Sequence, residues 1–312
     1  MKKIVNIFFI ILMMILGGCD NDFAISAPTK GELCLICYPG TRDTTVIQLY
    51  KTVPVGESYK GSSFLKSAAI VYNVDGVGQK VEYASDWTGS VPKGCWYVPG
   101  RLEGGSEVEI SAAVESEINV MASTRIPAMP PAFDFSLEFG AWTELNISFD
   151  DDPATDDYYG VAVVCEWPIN NRLSIRNLCP LAEGSGTDVV AVLRDYYDVG
   201  FSGLTLLPHQ TDIYGVRVWS DAKFNGKRAS LTARFDPASV DSPRYKILLY
   251  SFTEEFYRYM AALDYQDGNA YAMYGIIPMK LSFTNVSGGC GILAGWSMRE
   301  SDWFEMDFFK VF

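Results

Sequence analysis

A single histidine in 312 residues is the first scarcity of this chain. It removes most His-built zinc sites and His-dependent triads, which need imidazole as ligand or base. Positive charge is also short. The 25 Lys and Arg stand against 38 Asp and Glu, a net charge of −13. A phosphate backbone is drawn to clustered cations, so a nucleic-acid partner is ruled against. There is no GxSxG elbow and no GxxxxGK[ST] loop. Beyond the N-terminus no apolar run approaches the ~20 residues of a membrane-spanning helix. What remains is 48% hydrophobic and 14% aromatic, which supports a folded chain with a soft prior of about two domains.

The first eighteen residues stand apart. Lys2 and Lys3 precede an apolar stretch from Ile4 to Leu16, interrupted only by Asn6. It is too short to span a bilayer and reads as a secretory signal. It ends in Leu16-Gly17-Gly18-Cys19, which looks like a bacterial lipobox. The expectation is a signal peptide over 1–18, lipid on Cys19 as the membrane anchor, and a tether over 19–30. The plainer alternative is an ordinary signal peptide with a chance cysteine. Asp20-Asn21-Asp22 resembles the surface-export tract of Bacteroidota lipoproteins, or is merely a solvated tether.

Six further cysteines, Cys34, Cys37, Cys95, Cys165, Cys179 and Cys290, permit up to three disulfides in an oxidising compartment. Cys34-Leu35-Ile36-Cys37 has CxxC spacing, but in a strand its two thiols point to opposite faces. Buried structural cysteines are the expectation, with Cys165 and Cys179 the candidate local bridge.

Short strands and turns follow the tether. Glu32–Tyr38, Thr44–Val55, Ala68–Asn73, Gln79–Tyr83, Cys95–Val98, Val108–Val114 and Asn119–Arg125 read as strands, with an Asp75-Gly76 hairpin signal. This spacing predicts a β-sandwich over 31–127. The proline-rich Ile126 to Pro131 then marks a boundary to a larger β-rich domain over 128–312. That part carries strands at Trp142–Phe149, Tyr158–Trp167, Asp188–Tyr196, Ile213–Ser220, Ala229–Phe235 and Tyr245–Ser251. One amphipathic helix is expected near 252–264, with Ser251 as N-cap, Glu254 completing a capping box, and a stripe of Phe252, Phe256, Tyr259, Met260 and Leu263.

Chemistry-bearing patterns are few. Asp150, Asp151, Asp152, Asp156 and Asp157 crowd one loop, and Asp150, Asp152 and Asp156 are candidate calcium ligands. The alternative is a solvated turn whose carboxylates cap local backbone. Gly288-Gly289-Cys290-Gly291 reads as a tight turn allowing close packing on the helix. His209 sits in a loop without a partnering nucleophile. Among the seven tryptophans, Trp87, Trp96, Trp167, Trp296 and Trp303 lie in or beside loops; Trp167, Trp296 and Trp303 are candidate ligand-stacking residues unless they simply belong to the core. No catalytic residues and no cofactor emerge, and the expectation is a non-enzyme.

Several stretches together resemble the domain-of-unknown-function 4249 family of Bacteroidota outer-membrane lipoproteins. They are Ser123-Thr124-Arg125-Ile126-Pro127, Phe149-Asp150-Asp151-Asp152-Pro153 leading to Tyr158-Tyr159, Ser220 to Lys227, the helix around Phe256 to Tyr259, and Asn285 to Ser297. The last is the most specific, although Leu293 and Trp296 stand where the family usually has Phe and Tyr. The resemblance implies an immunoglobulin-like N-terminal sandwich, a larger β-rich domain, and an outer-membrane lipoprotein often associated with TonB-dependent receptors. The expected role is a non-enzymatic, surface-facing accessory to such a receptor in nutrient uptake. Stand-alone glycan or peptide binding, and an adhesion or envelope-structural role, are the alternatives.

Overall fold

The computed structural model describes residues 31–52, 65–88, 91–114, 118–139, 143–169, 173–179, 181–182, 191–192, 217–222, 224–235, 244–267 and 283–305. The first half holds β1 (Leu33–Cys37), β2 (Thr44–Lys51), β3 (Ala69–Val74), β4 (Val77–Gln79), β5 (Glu82–Tyr83), β6 (Trp96–Pro99), β7 (Glu107–Val114) and β8 (Ile118–Arg125). Then come β9 (Phe133–Phe139), β10 (Thr143–Asp150), β11 (Tyr158–Ile169), β12 (Leu173–Cys179), β13 (Leu181–Ala182), β14 (Ala191–Val192), β15 (Arg217–Ser220), β16 (Arg228–Phe235) and β17 (Arg244–Phe252). Helix α1 (Glu254–Asp267) precedes β18 (Cys290–Leu293), β19 (Trp296–Glu300) and β20 (Phe304–Glu305). The class is mostly β with one helix among the described residues, as the sequence predicts.

Four sheets follow from the pairing: β18-β1-β2-β6-β5, then β4-β3-β7-β8, then β14-β15-β11-β17-β19 with β12 and β20 attached, and β13-β16-β10-β9. Burial patterns explain how they stack. β7 alternates exposed and buried residues along Glu107–Val114, so only one face is apolar. Val108, Ile110 and Ala112 on that face share a core with Leu33, Leu35 and Leu49 from the first sheet. In β1 all five residues are buried. Its second face, Cys34 and Ile36, packs with Phe256, Tyr259 and Met260 of α1 and with Leu248, Tyr250 and Phe252 of β17. The opposite face of β17, Tyr245, Ile247 and Leu249, meets Leu145, Ile147 and Phe149 of β10. Strands buried on both sides read as continuous apolar runs, which is why LCLIC and ILLY look alike.

Residues 33–125 do not complete their own sheet. β18 pairs in parallel with β1, Cys34 opposite Cys290 and Cys37 opposite Leu293. Two residues later the same chain becomes β19 and pairs with β17. The stretch 285–300 thus crosses from the first sheet to the third, over the boundary drawn at 127. The proline-rich segment lies along it: the Ser297 hydroxyl donates to Ala128 O at 2.6 Å and Arg299 Nε to Pro130 O at 2.9 Å.

Local signals resolve unevenly. Asp75 and Gly76 take φ of 51° and 77°, the left-handed pair that a two-residue hairpin requires. The helix begins later than expected. Ser251 stays in β17, paired with Tyr159 and Ser297, and Thr253 is the cap, its hydroxyl accepting from Phe256 N–H at 3.4 Å. Ladder pairing through Phe252 outcompetes an earlier helix start. Within the stripe Phe256, Tyr259 and Met260 are buried; the Leu263 side chain is outside the described residues.

The glycine stretch is a strand rather than only a turn. A Cβ at Gly289 would lie 2.1 Å from Leu33 O, and one at Gly291, with φ of 110°, 1.9 Å from Leu35 O. The glycine backbone therefore presses on β1, while Ile292 of the same strand packs with Phe256, Tyr259 and Met260 of the helix.

Candidate functional site

Two connections between the third and fourth sheets meet at one corner. β10 ends at Asp150 and β16 starts at Arg228, which are partners; β11 starts at Tyr158 and β15 ends at Ser220, also partners. The loops 151–157 and 221–227 are consequently held side by side. Asp151 N–H donates to Lys227 O at 3.1 Å and Asp221 N–H to Asp157 O at 3.0 Å.

Inside the corner Asp151 and Asp221 are buried. Asp151 Oδ1 accepts the Tyr159 hydroxyl and Oδ2 the Gly226 N–H, both at 2.8 Å. Asp221 Oδ2 accepts Asp157 N–H at 2.8 Å, and the Thr155 hydroxyl donates to Asp157 Oδ2 at 2.7 Å. Burial holds the Asp221 carboxyl above the usual carboxylate range, and the negative charges of Asp151, Asp157 and Asp156 add to it. Burial likewise pushes the Tyr159 hydroxyl up, helped by its bond to Asp151.

Asp151, Asp157 and Asp221 bring carboxylate oxygens within 4.8 Å of one another. This corrects the expected set. Asp150 faces Arg228 at 3.2 Å, Asp152 Oδ1 accepts Ala154 N–H at 2.9 Å, and Asp156 Oδ1 accepts Asn225 Nδ2 at 3.4 Å. All three are exposed. Hard cations take oxygen ligands, so the inner three have the right chemistry for one. Each already accepts an N–H or O–H, however, and what the geometry visibly does is cap backbone.

The aromatic candidates separate. Trp296 is 3% exposed and its Nε1 donates to Tyr38 O at 3.0 Å, so it offers no face to a ligand and belongs to the core. Trp303 is half-buried under Lys246 and Arg244, whose charges lie 4.8 and 5.4 Å from its ring. Trp96 is half-buried and donates to Leu65 O, whereas Trp87 is exposed. The side chains of Trp167 and Cys179, and His209 entirely, are outside the described residues. Cys165 is buried opposite Asn177, and Cys179 sits opposite Val163, a diagonal relation across β11 and β12.

Sequence reasoning missed a cleft on the outer face of the second sheet. Asn73, Glu109 and Ser123 form one cross-strand row, and Val71, Ser111 and Met121 the next. Asn285, Ser287 and Glu255 bound the cleft, whose volume is about 500 Å³. Val71 and Met121 are exposed. The cleft is open to solvent, and seven of its ten lining residues carry an amide, hydroxyl or carboxylate group. Only the alternation of β7 and β8 hinted at this face; the approach of residues 285–287 has no local signal.

Both motif-bearing regions, the acidic corner and the glycine-rich crossing, fall within one family match over residues 20–302, described as Domain of unknown function (DUF4249). The chain belongs to the DUF4249 family. No curated protein matches it. One solved structure, titled as manganese lipoxygenase of Gaeumannomyces graminis and partial zonadhesin of Komagataella pastoris, aligns at 8% identity. That alignment covers 73% of this chain and 91% of the other, with a TM-score of 0.18, too slight a likeness to carry an argument. In this DUF4249 chain the resembling motifs are joints of the fold: FDDDP faces residues 220–222 and 224–227 at the corner, while NVSGGCGILAGWS joins the sheets.

Proposed function

We propose that this DUF4249 protein is a non-enzymatic, lipid-anchored outer-membrane protein, surface-facing and acting as accessory or binding partner of a TonB-dependent receptor in nutrient uptake. The N-terminal lipobox ending at Cys19 supports the anchor, and the described part holds no helix long and apolar enough to cross a membrane. The observation that carries the binding role is the open face of the second sheet, where exposed Met121 lines the polar cleft and exposed Val71 stands in the same cross-strand row. The carboxylates offered for chemistry are instead engaged in fastening two loops. The first two sheets are then an immunoglobulin-like docking module rather than a spacer.

In-cell crosslinking in the native host, followed by affinity purification through a C-terminal tag and mass spectrometry, tests this. One stoichiometric TonB-dependent receptor is expected. Nothing above background from a verified outer-membrane fraction would sink the reading.

Direct capture of a glycan or peptide is the second reading, favoured by the hydroxyl, amide and carboxylate lining of the cleft. A glycan array and a peptide library decide it: no binding to either counts against it.

A further inference from the structure

Cys34 has a partner that its CxxC spacing conceals. Cys34 and Cys37 occupy opposite faces of β1 and belong to different cores. Opposite Cys34, on the neighbouring parallel strand, stands Cys290. Both are free thiols in this structure. Partners in adjacent strands share a face and lie about 4.8 Å apart between chains. That spacing is inside the roughly 4.4–6.8 Å range of Cα separations found in disulfides. The two side chains already touch, the Cys34 thiol donating to Cys290 Sγ. The burials differ as well, Cys34 being 3% exposed and Cys290 half-buried.

We propose that Cys34 and Cys290 form a dithiol–disulfide pair that closes by exchange with an external disulfide, covalently fastening β18 to β1. The hydrogen bond from Cys34 holds the Cys290 thiol below its ordinary value, whereas that bond and burial push Cys34 up. The thiolate is the nucleophile, so the more accessible Cys290 reacts first. Its sulfur attacks the external disulfide, forms a mixed disulfide and releases one thiolate. Cys34 gives its proton to that thiolate, and its sulfur then displaces the second external thiolate from Cys290. This second thiolate takes up through solvent the proton that Cys290 lost on becoming the attacking thiolate. Two protein thiols and one external disulfide become one protein disulfide and two external thiols. The bond spans the crossing that joins the first and third sheets, so it fixes the C-terminal stretch to the strand nearest the tether.

The test uses the full chain, purified reduced, exposed to oxidised glutathione, blocked with N-ethylmaleimide and digested for mass spectrometry. A peptide linking Cys34 to Cys290, absent after dithiothreitol, is expected. The apparent Tm of the oxidised protein should exceed that of the reduced protein by about 5–10 °C, and Cys290→Ser should abolish both the link and the shift. Recovery of both cysteines as maleimide adducts overturns the proposal. So does Cys290 left joined to glutathione or to another cysteine. The linkage is read on the unmutated chain, so a poorly folding variant leaves the test intact. Because the reaction runs on purified protein, its outcome is independent of any receptor.

Discussion

The crossing at 285–300 and the acidic corner at 151–157 and 221–227 are the two most distinctive stretches of the sequence, and they hold the molecule together by opposite means. The crossing is dry. Ile292, Leu293, Ala294, Trp296 and Ser297 are nearly inaccessible, and two glycines let its backbone press against Leu33 and Leu35. The corner is polar and only partly covered, with two buried carboxylates among exposed ones. Apolar joints are strong because packing loss and backbone collision both resist change. Polar joints contribute less net free energy, since each hydrogen bond replaces one to water. A distinctive motif can therefore mark a joint of the fold with no reaction attached.

Matched glycine substitutions give the largest contrast. Gly291→Ala places a Cβ at φ of 110° and 1.9 Å from Leu35 O, and should destabilise by about 4 kcal/mol or more, or abolish folded protein. Gly226→Ala at the corner meets Pro153 alone, its Cβ at 2.7 Å and its Cα at 3.3 Å, with φ of 71°, and should cost about 1–2 kcal/mol. Urea unfolding of both variants checks this. Equal losses would erase the distinction between the two joints.

Trp296→Ala comes next. The ring fills space that forbids even a Cβ at Gly40, 2.2 Å away, and its N–H satisfies Tyr38 O. A loss of about 3–5 kcal/mol is expected by denaturant titration. A loss below 1 kcal/mol would mean that Trp296 is not part of the seam.

Tyr159→Phe probes the corner with one atom. It leaves Asp151 Oδ1 without its donor in a buried setting, for an expected loss of about 1–2 kcal/mol by the same measurement. A neutral result would show that water replaces the hydroxyl and that the corner is wetter than its burial implies.

How much of this was legible depended on whether the determinant was local. The alternation in Glu107–Val114 and the Asp75-Gly76 turn are written in neighbouring residues and came through. β9, Phe133–Phe139, alternates just as clearly, yet the prolines before it drew attention to a boundary. β18 read as a turn because its glycines answer to β1, some 250 residues earlier. The corner was half visible: the aspartates of the first loop stood out, but only sheet pairing brings Asp221 to them, and only strand exit decides that Asp151 turns inward and Asp150 outward. Cys290 facing Cys34 is the same kind of non-local fact.

The smallest expected effect tests the corner's charge alone. Asp221 titrates above its unfolded value of 3.8 because burial, and then its acidic neighbours, penalise the ionised form. A carboxyl raised in the folded state contributes its stability below the unfolded value, and loses it as pH rises through the folded one. Asp221→Asn keeps an oxygen for Asp157 N–H and removes the charge. The variant should match the parent below pH 4 and exceed it by about 2 °C in Tm at pH 7, the gap opening as pH rises. Subtracting parent from variant at each pH cancels the other carboxylates to first order. A gap of the opposite sign would mean that the ionised Asp221 is stabilised in place, as it would be by a cation shared with Asp151 and Asp157, and repeating the scan with calcium and with a chelator separates those cases.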